Sequence, residues 1–308
     1  MSVISNLVAQ PNRIIIASEF VLSFGEKGAS MADLEKLLSP LPPQQNLSEG
    51  TPDGDERSGT TIAKGVLNEL LRLNILERVG NELVRVCGAL MSDGRTVDWA
   101  GRLQNYLFPL LTTSHLAREH AQGDLPDALC WLLQQSPVHP LGFSAGKHYN
   151  VLSSQMVDND PLCSSVATDA RYQNLIYWAR YLGLAERITV KQAAEMVIAD
   201  PTRAIALQLP KVFGTDQQLT IQTFLQRLSA QIPVLDGGGV WQDIQGRLKE
   251  PMQVKDKHIS QATSLALLRL QRVGNIQLEG LSDAAAWVLE IGRETKSVSH
   301  ISYVENRK

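Results

Sequence analysis

Residues 13 to 87 constrain this 308-residue chain most, because three helical patterns there are followed at once by two alternating runs around a Gly-Asn pair. Arg13 to Phe24 carries Ile15, Ile16, Phe20, Val21 and Phe24 at helical spacing, with Gly25 and Gly28 to stop it. Ser30 precedes Met31 to Leu38, whose Leu34, Leu37 and Leu38 form a short apolar face that Ser39-Pro40 ends. Thr60 is placed to cap a third helix running to about Leu73, with Ile62, Val66, Leu67, Leu70 and Leu71 on one side. Ile75 to Val79 and Glu82 to Val86 then read as two strands of a hairpin turning at Gly80-Asn81. Three helices and a hairpin is the order of the winged-helix variant of helix-turn-helix, in which the third helix enters the major groove and the hairpin flanks the backbone.

Pro40 to Gly59 is rich in Pro, Gln, Ser, Gly and acidic residues and is expected to be a solvated loop. Trp99 to Gln135 carries helical runs at Leu103, Leu107, Leu110 and Leu111 and again at Leu125, Leu129, Leu132 and Leu133, ended by Pro137 and Pro140. Tyr172 to Leu184 has the first-helix pattern, Val190 to Ile198 is expected as a helix capped by Thr189, and Asp200-Pro201 opens another. Further helices are expected at Ile221 to Leu228, Val240 to Leu248 and Ser260 to Arg272. Ile276 to Glu279 and Val298 to Val304 are strand candidates that can pair. The predicted fold is mainly α and multi-domain, with winged-helix (helix-turn-helix plus β-hairpin) modules at both ends and a helical middle. The expected domains are an N-terminal winged helix over 1–90, a helical middle over 91–217 and a C-terminal winged-helix-like domain over 218–308.

Charge localises the chemistry. Lys plus Arg number 29 against 32 Asp plus Glu, a net charge of −3, so any polyanion contact has to be confined to one face. The third helix offers Thr60, Thr61, Lys64, Asn68 and Arg72 away from its apolar side, and the hairpin adds Arg78 and Arg85. Lysine and arginine neutralise phosphates, and asparagine and arginine can also reach base edges. The same positions serve equally as the solvated face of a protein-binding winged helix. Residues 249 to 272 hold Lys249, Lys255, Lys257, Arg269 and Arg272 against Glu250 and Asp256, a local balance of 5 − 2 = +3. Ser260 and Gln261 begin the following helix, whose free N–H groups suit an anion.

Other constellations read as structure. Gly237-Gly238-Gly239 is followed by Val240-Trp241, without the Lys-Ser or Lys-Thr of a phosphate cradle, and is expected to be a turn. Asp158, Asp160 and Asp169 lack EF-hand spacing, and Asp160 precedes a proline, a common turn device. His115 and His120 lack the H-E-x-x-H frame, and no cofactor is expected. Tyr172, Tyr177, Trp178 and Tyr181 fit core packing better than base stacking. Cys87, Cys130 and Cys163, odd in number and far apart, read as buried apolar side chains in a reducing compartment. With no secretion signal at residues 1–10 and no apolar span of membrane length, the expected location is cytoplasmic, with no membrane partner.

Four segments carry a resemblance: Asp124-Leu125-Pro126-Asp127-Ala128-Leu129-Cys130-Trp131-Leu132-Leu133, Tyr177-Trp178-Ala179-Arg180-Tyr181-Leu182-Gly183-Leu184, Pro233-Val234-Leu235-Asp236-Gly237-Gly238 and Val298-Ser299-His300-Ile301-Ser302. They resemble the DpdG family, a component of bacterial phage-defence loci linked to 7-deazaguanine modification of DNA. The resemblance extends to His300 and implies a context, without transferring any functional residue. The expected function is non-enzymatic recognition of double-stranded DNA, or of a DNA-bound defence complex whose nuclease, helicase or ATPase partners supply the chemistry. The alternative is a protein–protein adaptor or scaffold in the same system.

Overall fold

The computed structural model describes residues 2–38, 56–80, 82–91, 98–144, 146–189, 195–250, 257–281 and 285–304, with the backbone alone for 56–60. The expected solvated loop therefore lies outside the described residues over 39–55. Among the described residues the protein is mainly α, about 54% helix against 18% strand. It divides into two compact units, Asn6–Leu107 and Phe108–Lys308, the second taking in Ser2–Ser5.

The first unit runs α1 (Pro11–Ser23), a 3₁₀ turn at Gly25–Lys27, β1 (Ala29–Ser30), α2 (Met31–Leu38), α3 (Glu56–Arg72), β2 (Leu76–Val79), β3 (Leu83–Val86), α4 (Gly88–Met91) and the start of α5 (Trp99–Thr112), whose residues from Phe108 on count with the second unit. Pro11 opens α1, where its missing N–H costs nothing. The helix buries Ile14, Ala17, Ser18 and Val21 while Ile16 and Phe24 stay exposed, so its core face is rotated from the expected one. Small Ala17 and Ser18 permit close packing, and the Ser18 hydroxyl donates to Ile14 O at 2.7 Å while accepting from Trp99 Nε1 at 2.9 Å. Ser30 caps α2 through Asp33 N–H at 3.1 Å. Contrary to expectation Thr60 does not begin α3. Among the described residues the helix runs from Glu56. The antiparallel sheet has order β1-β3-β2, the hairpin turning at Gly80 with φ +67°.

The second unit runs α6 (Ser114–Glu119), α7 (Asp124–Leu133), β4 (Leu141–Gly142), α8 (Lys147–Gln155), α9 (Pro161–Ser165), α10 (Asp169–Tyr181), β5 (Ala185–Thr189), β6 (Glu195–Ala199), α11 (Thr202–Phe213), β7 (Gln218–Thr220), α12 (Ile221–Gln231), α13 (Gly239–Gln245), β8 (His258–Ile259), α14 (Gln261–Arg272), β9 (Ile276–Glu279), β10 (Trp287–Ile291), β11 (Glu294–Val298) and β12 (His300–Tyr303). Trp131, Tyr172, Trp178, Phe213 and Phe224 are fully buried in its core. The wholly helical middle is corrected by an antiparallel sheet of order β4-β6-β5. The expected helix over Val190 to Ile198 gives way at Glu195 to a strand whose Val197 and Ala199 are buried alternately, while 190–194 lie outside the described residues. Thr189 ends β5.

The expected pairing of the closing strand with Ile276 to Leu278 is present: β12 lies between β7 and β9, with Ile301 opposite Leu278. Between those strands sits the unforeseen hairpin of β10 and β11, which β8 joins in parallel. Among the described residues no helix is long and apolar enough to cross a membrane.

Candidate nucleic-acid interface

In the first unit α3 turns Ala63, Val66, Leu67 and Leu70 into the core against α1 and α2. Thr61, Lys64 and Asn68 stand exposed on its other side, at the three- and four-residue spacing that aligns them in one stripe. Lys64 and Asn68 have no hydrogen-bond or ion-pair partner among the described residues, and neither has Arg78 on the hairpin. Arg72 behaves differently. Its guanidinium lies 3.2 Å from Glu69, a carboxylate with no solvent exposure that also accepts from Asn6 at 3.0 Å. Arg85 pairs at 2.7 Å with Glu77, its cross-strand neighbour. The structure thus separates the expected cations of this unit into an open set, Lys64 and Arg78, and a paired set, Arg72 and Arg85. The Thr60 side chain lies outside the described residues.

The C-terminal cluster is mostly committed to internal contacts. Arg269 pairs with Asp200, which is 4% exposed and also accepts from Thr202 N–H at 3.0 Å. Ser260 caps α14, and its N–H and hydroxyl donate to Asp236 at 2.9 and 2.7 Å, while the Thr263 hydroxyl donates to the same carboxylate. The anion expected at this helix N-terminus is therefore Asp236, 24 residues upstream, and the site the sequence offered to a phosphate is already filled. Gln261 accepts from Ser136 at 2.5 Å. Lys257 and Arg272 remain exposed, and Lys255 lies outside the described residues. No local signal announces Asp236. Only the Ser260-x-x-Thr263 pair hints that an acceptor sits nearby.

Asp160, read as a turn device, is a structural tie. Asp160 caps α9 through Leu162 N–H at 2.9 Å and receives the fork of Arg247, Nε at 2.8 Å and Nη2 at 2.6 Å, while Nη1 pairs with Asp127 of α7. Burial works to raise the Asp160 pKa, but the hydrogen bonds from Arg247 and Leu162 outweigh it and hold the carboxyl below its ordinary value. Among the described residues no three His, Cys, Asp or Glu side chains converge as metal ligands. Only Cys130 of the three thiols is buried; Cys87 and Cys163 are half-buried, a correction to the uniform reading. Tyr172 and Trp178 are in the core, whereas Tyr177 and Tyr181 are partly open.

The fold by itself leaves the lineage open, and comparison of the whole chain closes it. A family model described as DpdG-like matches residues 1–284. The chain belongs to that family. The match spans the first unit and the second as far as the residues before β10, so the DpdG-like assignment covers both the open cations Lys64 and Arg78 and the filled N-terminus of α14. The DpdG-like family suggests a phage-defence-related role. No curated protein and no solved structure matches this DpdG-like chain.

Proposed function

We propose that the first unit is a winged helix that contacts double-stranded DNA, with α3 as the reading helix and the β2–β3 hairpin as the wing, within a non-enzymatic component of a cytoplasmic phage-defence assembly. The observation that carries this reading is the open stripe of Thr61, Lys64 and Asn68 on a helix whose opposite side is buried, with the unpaired Arg78 on the adjoining hairpin. Such a stripe offers cations for phosphates and a carboxamide for an adenine edge. Chemistry on the nucleic acid is left to nuclease, helicase or ATPase partners of the same locus.

A second reading, protein contact, is favoured for the 218–308 module, which we also read as winged-helix-like. Its third helix, α14, buries Ala262, Thr263, Ser264, Ala266, Leu267 and Leu270 and packs on α11, β9 and β10, so little polar surface is left to enter a groove. Leu265 and Leu268 are half-buried on the side that remains, and apolar side chains suit a protein partner better than a phosphate backbone.

Fluorescence anisotropy with a labelled duplex tests the first reading. Lys64→Glu with Arg78→Glu should weaken binding at least about tenfold between about 50 and 200 mM salt and flatten the salt slope by roughly 0.9 for each phosphate that is no longer neutralised. Salt-insensitive binding, or none with the parent protein at low salt, would leave partner capture as the function of the first unit too.

A further inference from the structure

Five tryptophans occur in the chain. Trp131 and Trp178 are fully buried and Trp99 nearly so. The other two, Trp241 of α13 and Trp287 of β10, remain partly open to solvent and line one pocket of about 460 Å³ in the second unit. An indole left open forfeits burial of the largest apolar side chain, and two lining one concavity offer aromatic surface to whatever enters. Neither indole N–H has a partner among the described residues.

The polar lining has a definite character. Gln222 and Gln226 stand one helical turn apart on α12, exposed, and their carboxamides have no partner among the described residues. Each offers a donor and an acceptor side by side. His258 donates from Nδ1 to the Glu290 carboxylate at 3.2 Å, which fixes the ring's orientation. Asp236 lines the pocket too, but both its oxygens are taken by Ser260 and Thr263. No lysine or arginine lines the pocket among the described residues. Among the described residues the lining thus offers a phosphate no lysine or arginine, and a cation no carboxylate oxygen that is not already hydrogen-bonded. A neutral, planar ring with a hydrogen-bonding edge satisfies all of these features, and the volume falls within the roughly 300–1,000 Å³ of small-ligand sites.

We propose that this pocket binds a nucleobase, stacked against Trp241 and Trp287 and held at its edge by Gln222 and Gln226. The site lies in the second unit and stands whether or not α3 contacts a duplex. The base can arrive on a free nucleoside or unstacked from a single strand, the two sources sharing one chemistry at the rings.

Tryptophan fluorescence is a direct readout, because the open indoles are the two at the site. Titration of the full chain with adenosine, guanosine, cytidine and uridine should give saturable quenching by at least one, with the matching 5′-monophosphate weaker because a carboxylate, Asp236, and no lysine or arginine lines the pocket among the described residues. Trp287→Ala and Trp241→Ala should each weaken that binding by about 5- to 100-fold, as expected for loss of one stacking ring, and Trp287→Phe should recover most of it. Gln222→Glu, an exposed helical change that leaves folding intact, should alter the order of preference among the four bases. A short single-stranded oligonucleotide that binds better than its nucleosides, with the same sensitivity to Trp287→Ala, assigns the source to a strand. Absence of saturable quenching by every nucleoside and by the oligonucleotide overturns the proposal. So does binding that survives replacement of both tryptophans by alanine when measured by calorimetry, or binding of a quaternary ammonium or an aromatic peptide in place of bases.

Discussion

His148 is 1% exposed, with its ring stacked at 4.0 Å on Tyr172 and Nε2 3.2 Å from the Val166 carbonyl oxygen. Burial, the largest influence, pulls its pKa below the ordinary imidazole value, against the opposing pull of that carbonyl and of Asp169. The unfolded chain therefore takes up a proton below about pH 6.5 that the folded chain refuses. Stability is fully present above that pH and is lost as the pH falls toward the folded-state value. Urea midpoints should drop between neutral and mildly acidic pH, and His148→Gln should flatten that drop; an unchanged slope would assign the titration elsewhere. Asp160 obeys the same sign in a lower window, its contribution present above the normal carboxylate range and lost in stronger acid. Arg247→Ala strands Asp160, 2% exposed, and Asp127 without their cation. It should cost about 3 kcal/mol in chemical denaturation, whereas Asp158→Asn, on an exposed pair with Lys249, should cost almost nothing.

At the scale of elements, the glycine run before α13 separates three functions that look alike in sequence. A Cβ on Gly238 would lie 2.2 Å from the Pro233 carbonyl oxygen, Gly237 holds φ +78°, and Gly239 has open space around it as the first residue of α13. Gly238→Ala should therefore destabilise by about 2 kcal/mol or more, while Gly239→Ala should be neutral or stabilising by up to about 1 kcal/mol. Thermal melts of the pair give the comparison, and equal losses would contradict the close approach to Pro233. The same scale explains what could be read beforehand. Helices with a sharp stop or cap, such as α2 behind Ser30 and α14 behind Ser260, were legible because the cap acts within a few residues. The strand Glu195–Ala199 was misread as helix because a short apolar run fits both periods, and only its pairing, to β5 just before it and to β4 far upstream, decides between them. Two-residue strands such as β1 and β8 have no periodicity of their own and exist through the partner they pair with.

For the whole molecule, the candidate interface was half legible. Lys64, Asn68 and Arg78 are open as composition and periodicity implied, but Arg269 is not, because its partner Asp200 lies 69 residues away and no local spacing foretells it. Arg269→Glu should lower stability by about 1 to 2 kcal/mol, Arg269 being half exposed and Asp200 buried, and should leave the salt slope of duplex binding unchanged; a slope that falls would return the C-terminal cluster to the interface. A different consequence follows from the first residues. Val3 N–H donates to Gln122 at 2.6 Å, the Val3 carbonyl accepts from Asn174, and Ser2 donates to Asp124 at 2.8 Å, so residues 2–5 complete the second unit. In chain order the first unit is an insertion, entered and left by the same host. Cutting the polypeptide near residue 107 to obtain the larger piece would discard a four-residue keystone made about a hundred residues earlier, and that piece should regain its resistance to protease when the missing tetrapeptide is supplied in trans or fused ahead of it.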